Sequence, residues 1–185
     1  MSTLIQTMAA NARRAARELA TMSAESRDAG LTAIDAALVE RQAEILEANS
    51  RDIAAAEKMV QAGEIAAPLL KRLQLDKNYE GLSEMVRSVR SQSDPLGRTQ
   101  SAMELADGLE LYRISVPIGV IGVIFESRPD ALVQIAALCL KSGNAVLLKG
   151  GREAANSNRI LAEVIETATV GAGMPAGWIG LLETR

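Results

Sequence analysis

The chain has 185 residues, of which 48% are hydrophobic, so it is long enough to bury one substantial core. No apolar run is long enough to span a bilayer, and a net charge of −3 with 2% aromatic residues argues against a nucleic-acid partner. Because the chain has no histidine and a single cysteine, a histidine-based catalytic triad is impossible and a zinc or haem site is disfavoured.

Residues 1–95 are predicted to form a helical region. Apolar residues recur at helical spacing from Leu4 to Leu19, which predicts an amphipathic helix with one buried face. Ser23 is expected to cap a second helix, because its hydroxyl can accept a hydrogen bond from a backbone N–H of the first turn. The side chains of that second helix predicted to face the core are those of Leu31, Ile34, Ala37 and Leu38.

The middle of this helical region contains a predicted break. Asn49 and Ser50 can each cap a helix, so a boundary is expected there, followed by a helix over residues 52–61. A short helical piece over residues 65–73 is expected to be interrupted by its proline. One further amphipathic helix is predicted over residues 76–89.

The chain changes character at a polar turn containing proline and glycine, residues 91–97. An Asp107-Gly108 pair then separates two extended runs, which predicts a β-hairpin over residues 96–114. From the residues alone, an ordinary surface hairpin and an interaction arm fit this pattern equally well.

Residues 115–185 are predicted to form strand, helix, strand, helix and strand in that order. The apolar run at residues 116–125 is typical of a strand buried on both faces. Gly119 and Gly122 lie within this run and not in a turn before a helix, so they indicate close backbone packing and not a dinucleotide fingerprint. Such an α/β order predicts the first half of a doubly wound parallel sheet.

Two short segments are predicted to carry the chemistry, because ligands of open parallel sheets bind outside the carboxyl ends of the strands. The first strand is followed by Glu126 and Arg128, and the second by Lys149 and Arg152. Taken alone, Lys149 is more typical of a solvated strand end, and Arg128 is more typical of a helix-start arginine paired with Glu126 or Asp130.

The same region carries a resemblance to a known family. Residues 116–129 read Val-Pro-Ile-Gly-Val-Ile-Gly-Val-Ile-Phe-Glu-Ser-Arg-Pro, and residues 139–153 read Cys-Leu-Lys-Ser-Gly-Asn-Ala-Val-Leu-Leu-Lys-Gly-Gly-Arg-Glu. These segments closely resemble γ-glutamyl phosphate reductase (glutamate-5-semialdehyde dehydrogenase), the proline-biosynthesis branch of the aldehyde dehydrogenase superfamily. The resemblance implies NADPH-dependent reduction of L-glutamate 5-phosphate to L-glutamate 5-semialdehyde with release of phosphate.

The resemblance also implies an architecture. Residues 1–95 are expected to be the helical part of the cofactor-binding domain, residues 96–114 a hairpin arm that assembles a homo-oligomer, and residues 115–185 the first β-α-β-α-β part of an NADP-binding Rossmann-type domain. The family chain is more than twice as long as this one. The sequence is therefore expected to correspond to its N-terminal part, without the catalytic domain.

The cofactor contacts implied by the resemblance lie after the second strand. In related dehydrogenases, a lysine at the position of Lys149 contacts the adenosine ribose, and an acidic residue three positions later often binds the ribose hydroxyls. That later position is Arg152 here, and a guanidinium favours a 2′-phosphate, so NADP is expected in preference to NAD. A one-residue shift of the alignment would place Glu153 there instead. Gly150, Gly151 and Ser157 are the remaining predicted cofactor contacts, and Asn158 can support the same pocket. The polar surface of a helix would explain Ser157 and Asn158 equally well.

The substrate contacts implied by the resemblance are Glu126 and Arg128. Many relatives have an asparagine near the position of Arg128, whereas an arginine here suits the phosphate of an acyl phosphate. The superfamily reaction uses a cysteine nucleophile, but Cys139 lies in an apolar helix and is expected to be structural. The nucleophile is expected in a later segment. A lone cysteine also excludes an intrachain disulfide, in keeping with a cytoplasmic protein.

Two alternatives to this function remain compatible with the sequence. Another acyl-phosphate or acyl-CoA reductase of the superfamily would share the fold and differ in substrate. A non-catalytic nucleotide-binding or assembly module would share the fold and lack the reaction.

Overall fold

A computed structural model describes residues 2–183. Within this range the α-helices are α1 (Ser2–Leu19), α2 (Ala24–Glu40), α3 (Gln42–Gln61), α4 (Pro68–Leu73), α5 (Glu80–Ser91), α6 (Pro129–Lys141) and α7 (Ala155–Gly171). The strands are β1 (Thr99–Ala106), β2 (Leu109–Ile114), β3 (Val120–Ile124), β4 (Ala145–Lys149) and β5 (Ile179–Leu181). Short 3₁₀ helices cover Asp76–Asn78 and Arg152–Ala154. Among the helices described, none is both long and apolar enough to cross a membrane.

The predicted parallel sheet is confirmed. Its strand order is β3-β4-β5, and both neighbouring pairs run parallel, with α6 and α7 as the connections. α6 begins at Pro129, which occupies its first turn as predicted, because the missing N–H of proline has no partner in a first turn. It ends before Gly143, whose φ of 67° lies in the left-handed region.

The prediction that the first strand of this sheet is buried on both faces is wrong. Val120 and Ile124 are 36% and 87% exposed, whereas Ile121 and Val123 between them pack on the core. None of the described helices extends over the side chains of Val120 and Ile124, so the apolar run reflects a strand with one covered face.

The two glycines of this strand region also have a different explanation from the predicted one. A Cβ atom at Gly119 or Gly122 would meet nothing within 4 Å, so neither glycine is required for close backbone packing. Gly119 lies just before β3 with a φ of 115°, and its N–H donates to Oδ1 of Asn144 at 2.8 Å. Its conformation, and not its small size, is what requires glycine.

Helices and sheet share one hydrophobic core. α2 packs against α5, α6 and α7, and α1 packs against the strands of the parallel sheet. The largest fully buried side chain described is that of Trp178, and its Nε1 donates to Oγ1 of Thr169 at 2.8 Å. The helices before the hairpin therefore fold together with the sheet that follows it.

The predicted start of α2 is confirmed, and the predicted burial of α1 is confirmed only for its second half. The N–H of Ser26 donates to Oγ of Ser23 at 3.2 Å, which caps α2. In α1, Ala12 and Leu19 are fully buried, but Leu4 is 61% exposed. The first turns of α1 thus extend beyond the core.

The predicted break at Asn49 and Ser50 is wrong, because α3 runs through both residues. The Asn49 side chain does not cap the predicted helix over residues 52–61. Its Nδ2 donates to the Leu73 carbonyl at 2.8 Å, and its Oδ1 accepts from the Leu75 N–H at 3.0 Å. An asparagine whose amide bonds the end of another helix and the residues that follow it can remain inside its own helix.

The boundaries between residues 65 and 91 also differ from prediction. Pro68 does not interrupt a helix but begins one, at the first turn of α4. The predicted helix over residues 76–89 is divided into the 3₁₀ turn Asp76–Asn78 and α5, which starts at Glu80.

The β-hairpin is confirmed. β1 and β2 pair antiparallel around Asp107 and Gly108, and Gly108 has the positive φ of 73° that the turn requires. Every residue of both strands is exposed. The large apolar side chains that the hairpin exposes are those of Met103, Leu105, Leu109, Leu111, Tyr112 and Ile114.

Candidate functional site

The two predicted site segments lie side by side at the carboxyl edge of the parallel sheet. Ile124 at the end of β3 pairs with Lys149 at the end of β4, and the N–H of Phe125 donates to the Lys149 carbonyl at 3.0 Å. The two loops that follow therefore start from neighbouring strand ends, as expected for a ligand site of a parallel sheet.

A large open cavity lies beyond the ends of β4 and β5. Its volume is about 1050 Å³, which is ample for part of a dinucleotide. The residues that line it are Met59, Lys149, Gly150, Gly151, Arg152, Glu153, Ala155, Asn158, Arg159, Leu181, Leu182 and Glu183. Lys149, Arg152 and Arg159 contribute three positive charges to the cavity against the two carboxylates of Glu153 and Glu183, and this excess of positive charge makes it suitable for an anionic ligand.

Glu153 ties the two loops together. Its Oε2 accepts from Oγ of Ser127 at 2.6 Å, and its Oε1 lies 3.3 Å from Nε of Arg152. Burial by itself would raise the pKa of Glu153, but hydrogen bonds from Ser127, from the backbone and from Arg152 leave this pKa below its usual value. The Glu153 carboxylate is therefore hydrogen-bonded to protein groups, and it is less available to ribose hydroxyls than an unpaired carboxylate would be.

This lowered pKa predicts a pH-dependent contribution to stability. A group whose pKa is lower in the folded state contributes stability that is present above its unfolded pKa and is lost as the pH falls through its folded pKa. Glu153→Gln should therefore lower the free energy of unfolding by about 1 kcal/mol at neutral pH. It should also make the free energy of unfolding decrease less as the pH is lowered below about 4.3. Urea unfolding between neutral and acid pH measures both effects. The exposed Glu64→Gln is the matched control, and an unchanged acid slope in Glu153→Gln contradicts the prediction.

Gly150 and Gly151 are crowded positions. A Cβ atom at Gly150 would collide with the Asn158 amide, and one at Gly151 would collide with the Ser127 hydroxyl. These glycines therefore let the loop pack closely on its neighbours, which holds the backbone of the cavity wall in place.

The structure does not bring Ser157 to the cavity. Ser157 is fully buried, its hydroxyl donates to Oδ2 of Asp52 at 2.6 Å, and Nδ2 of Asn49 donates to it at 3.0 Å. This prediction is corrected for a simple reason: the hydroxyl points from α7 into the interface with α3, away from the ligand side.

Asp52 caps the helix that carries these residues. Its Oδ1 accepts from the backbone N–H and the Nδ2 of Asn156, at 3.1 and 2.8 Å, and its Oδ2 accepts from the backbone N–H of Ser157 at 2.7 Å. A carboxylate at this position binds otherwise unpaired N–H groups and favours the positive end of the helix dipole. Asp52 therefore fixes the start of α7 beside the cavity.

Asn158, the next residue on α7, faces the other way and lines the cavity. It is 2% exposed, and its Oδ1 has no hydrogen-bond partner among the described residues. A buried amide oxygen without a partner costs roughly 1 to 3 kcal/mol, so such an atom points to a missing partner.

The predicted substrate residues lie at a second, smaller cleft. Glu126 and Arg128 line a space of about 520 Å³ together with Lys71 and Arg72 from α4. Nη1 of Arg72 lies 2.9 Å from Oε2 of Glu126, and Nη2 of Arg128 lies 2.6 Å from Oδ2 of Asp130. The hydrogen bond that Arg128 donates to the Asp130 carboxylate raises the pKa of Arg128, so this guanidinium stays charged.

A comparison of the sequence with known protein families agrees with the site residues and the fold described above. The family described as "Aldehyde dehydrogenase family" matches residues 2–185, which is nearly the whole chain.

The chain belongs to the aldehyde dehydrogenase family.

Similar proteins include members of this family that are named γ-glutamyl phosphate reductase. The chain is 59% identical over 175 residues to the protein of that name from Natronomonas pharaonis, covering 94% of this chain and 40% of the relative. The crystal structure of the Saccharomyces cerevisiae protein of that name has a TM-score of 0.90 at 41% identity, covering 97% of this chain and 46% of the other. The Thermotoga maritima structure has a TM-score of 0.89 at 34% identity, covering 97% and 42%. The chain spans about 40% of the length of these curated relatives.

Aldehyde dehydrogenases use nicotinamide cofactors, and the residues of the larger cavity fit such a group. Lys149 and Arg152 supply positive charge for phosphate, and the unpartnered Oδ1 of Asn158 supplies a hydrogen-bond acceptor for a hydroxyl. The loop glycines bring the backbone close to the same space.

Cys139 is confirmed as a buried thiol. It is 6% exposed, and burial raises its pKa to about 11. A thiol with this pKa carries almost no thiolate at neutral pH and is a poor nucleophile.

Sequence reasoning missed three residues that position the site: Asp52, Lys71 and Arg72. Asp52 lies 104 residues from its partner Asn156 and Arg72 lies 54 residues from its partner Glu126, whereas Lys71 lines the smaller cleft. No local pattern marks them, because only the packing of α3 on α7 and of α4 on α3 brings them to the site.

Proposed function

We propose that this protein is an NADPH-dependent γ-glutamyl phosphate reductase, acting at the second step from glutamate to proline. The net reaction transfers a hydride from NADPH to the carbonyl carbon of L-glutamate 5-phosphate, breaks the bond from that carbon to the phosphate oxygen, and takes up one proton that leaves with the phosphate. The products are L-glutamate 5-semialdehyde, NADP⁺ and inorganic phosphate. The observation that carries the proposal is the joint position of Lys149 and Arg152 in the cavity at the carboxyl ends of β4 and β5.

The cofactor preference follows from the charges of this cavity. The guanidinium of Arg152 can bind a 2′-phosphate through more than one N–H group, and Lys149 adds a second positive charge. Glu153 is engaged by Ser127 and Arg152, so it does not offer the free carboxylate that a ribose diol prefers. These features support NADP in preference to NAD.

The substrate side of the proposal uses the smaller cleft. Arg128 binds the acyl phosphate after exchanging its contact with Asp130 for the substrate phosphate. Glu126 holds Arg72 at the same cleft, so a second guanidinium lies near the phosphate.

The nucleophile is proposed to lie outside these 185 residues. Cys139 is the only cysteine of the sequence, and its raised thiol pKa and burial exclude it as the attacking group. The 185 residues alone are therefore not expected to turn over substrate, and with half of the cofactor sheet they are expected to bind NADPH weakly.

The remaining parts of the proposal concern organisation and location. Residues 1–95 and 115–185 form the cofactor-binding part, and the exposed hairpin over residues 96–114 is the arm that assembles a homo-oligomer. Six large apolar side chains exposed on one hairpin support this role, because such surfaces are usually covered by a partner. We place the protein in the cytoplasm.

The double substitution Lys149→Ala plus Arg152→Ala tests the cofactor site. In the full-length protein it should weaken NADPH binding about 100-fold, because two charged contacts to phosphate are lost, and should weaken NADH binding less. Calorimetric titration measures both affinities. The matched control, Arg13→Ala plus Arg14→Ala, removes two exposed positive charges from α1 and should leave both affinities unchanged.

Two experimental results would contradict the proposal. An unchanged NADPH affinity in the double variant would contradict the assignment of Lys149 and Arg152 to the cofactor site. Activity of the full-length protein on other acyl phosphates or acyl-CoA thioesters, with none on L-glutamate 5-phosphate, would keep the family and replace the substrate.

A further inference from the structure

The side-chain amide of Asn158 stands out among the buried asparagines of the described chain. Asn49 and Asn144 are buried to a similar degree, and both atoms of each amide are hydrogen-bonded within the protein. Asn158 is 2% exposed, and its Oδ1 has no hydrogen-bond partner among the described residues. The environment of Asn158 therefore lacks a partner that the other two asparagines have.

The missing partner is on the cavity side. Asn158 lines the same cavity as Lys149 and Arg152, and its amide nitrogen lies against Gly150, where no side chain intervenes. On the other side of α7, Ser157 is held by Asp52, so the helix cannot rotate to bury the amide in the core. A ligand in the cavity is the group that can reach the amide.

An amide differs from the charged residues beside it, because it carries both a donor and an acceptor and has no net charge. A half-turn about the Cβ–Cγ bond exchanges its nitrogen and oxygen, so this wall can present either one. A carboxylate in this place would repel a phosphate, and an apolar side chain would leave phosphate and hydroxyl oxygens without a partner.

We propose that Asn158 is a cofactor-binding residue that recognises the phosphorylated ribose, donating to the 2′-phosphate through Nδ2 and bonding a neighbouring hydroxyl through Oδ1. This inference rests on the proposed NADPH-dependent function and adds to it. Lys149 and Arg152 supply the charge that attracts a phosphate, and Asn158 supplies the directional contact that distinguishes a phosphorylated ribose from an unmodified one.

Two fragments of the cofactor serve as probes: adenosine 2′,5′-bisphosphate and adenosine 5′-monophosphate, which differ only in the 2′-phosphate. Calorimetric titration of the full-length protein gives the ratio of their affinities. Asn158→Leu should lower this ratio about 5-fold or more, because a charge-assisted hydrogen bond is lost. Asn158→Asp should lower it further, because a carboxylate repels the 2′-phosphate. Asn158→Ser provides the measurement should Asn158→Leu fail to fold.

The matched control is Asn144→Leu, which removes a buried asparagine whose amide is bonded within the protein. It should lower thermal stability and leave the ratio unchanged. A purely structural role for Asn158 predicts the same result for both residues.

The outcomes separate this inference from the function on which it rests. Wild-type preference for the bisphosphate, retained in Asn158→Leu and Asn158→Asp, overturns the role of Asn158 and leaves the proposed function standing. A wild-type protein that binds both fragments equally overturns the preference for NADP and the role of Asn158 together.

Discussion

Asp52→Ala should lower the free energy of unfolding by about 3 kcal/mol, because it removes a helix cap and a buried acceptor in one step. In the folded protein the carboxylate accepts four hydrogen bonds from Asn156 and Ser157 and is 3% exposed. Alanine would leave two backbone N–H groups of the first turn of α7 without a partner. Urea unfolding followed by the fluorescence of Trp178, the single tryptophan, measures the change.

Two further variants check the physical cause. Asp52→Asn keeps one acceptor oxygen and should lose less stability than the alanine variant. The exposed Glu57→Ala removes an acidic side chain from the same helix and should change stability by less than about 0.5 kcal/mol. Equal losses in Asp52→Ala and Glu57→Ala would mean that the cap contributes nothing.

Trp178→Ala should lower the free energy of unfolding by about 4 kcal/mol, within the range for removing a buried aromatic side chain. Trp178 is fully buried just before β5, and its indole N–H has the hydroxyl of Thr169 as partner. Alanine would create a large cavity between α7 and the sheet. Because the variant has no tryptophan, its unfolding must be followed by far-ultraviolet circular dichroism.

Trp178→Phe separates the cavity from the hydrogen bond. Phenylalanine fills most of the volume and leaves the Thr169 hydroxyl without its donor, so this variant should lose about half as much stability as the alanine variant. Thr169→Val removes the acceptor of the indole N–H, together with the bond that this hydroxyl donates to the Ile165 carbonyl, and should cost about 1 kcal/mol. An alanine variant as stable as the phenylalanine variant would show that the core collapses around the site.

The elements that the sequence predicted are those whose signal is local. The Asp107-Gly108 turn, the Ser23 cap and the stop at Gly143 each depend on the conformation of one or two residues. The parallel sheet followed from the alternation of short apolar strands with helices. Its topology was enough to place Lys149 and Arg152 in one cavity.

The predictions from sequence fail where contacts with a distant part of the chain determine the local structure. Asn49 was expected to mark a boundary and to cap the next helix, but Leu73 and Leu75 supply its partners, so α3 continues. The expected burial of Ile124 depended on a covering element that the described chain does not place there.

The assignment of Ser157 shows a related limit at the site. Ser157 and Asn158 are neighbours on one helix, yet one faces the core and the other faces the cavity. Which of them faces the ligand depends on where α7 begins. The 3₁₀ turn at Arg152–Ala154 sets that start. No pattern in the sequence indicated where this turn ends, and therefore which positions of α7 face the cavity.

The Asp52 cap has a consequence for the order of folding. Its bonds to Asn156 and Ser157 close loops of 104 and 105 residues, so they form only after much of the chain has collapsed. The strands and crossover helices can assemble earlier from nearby segments, whereas the entrance to α7 waits for α3 to arrive. A nascent molecule would thus acquire its sheet before it acquires a cavity able to hold a nucleotide.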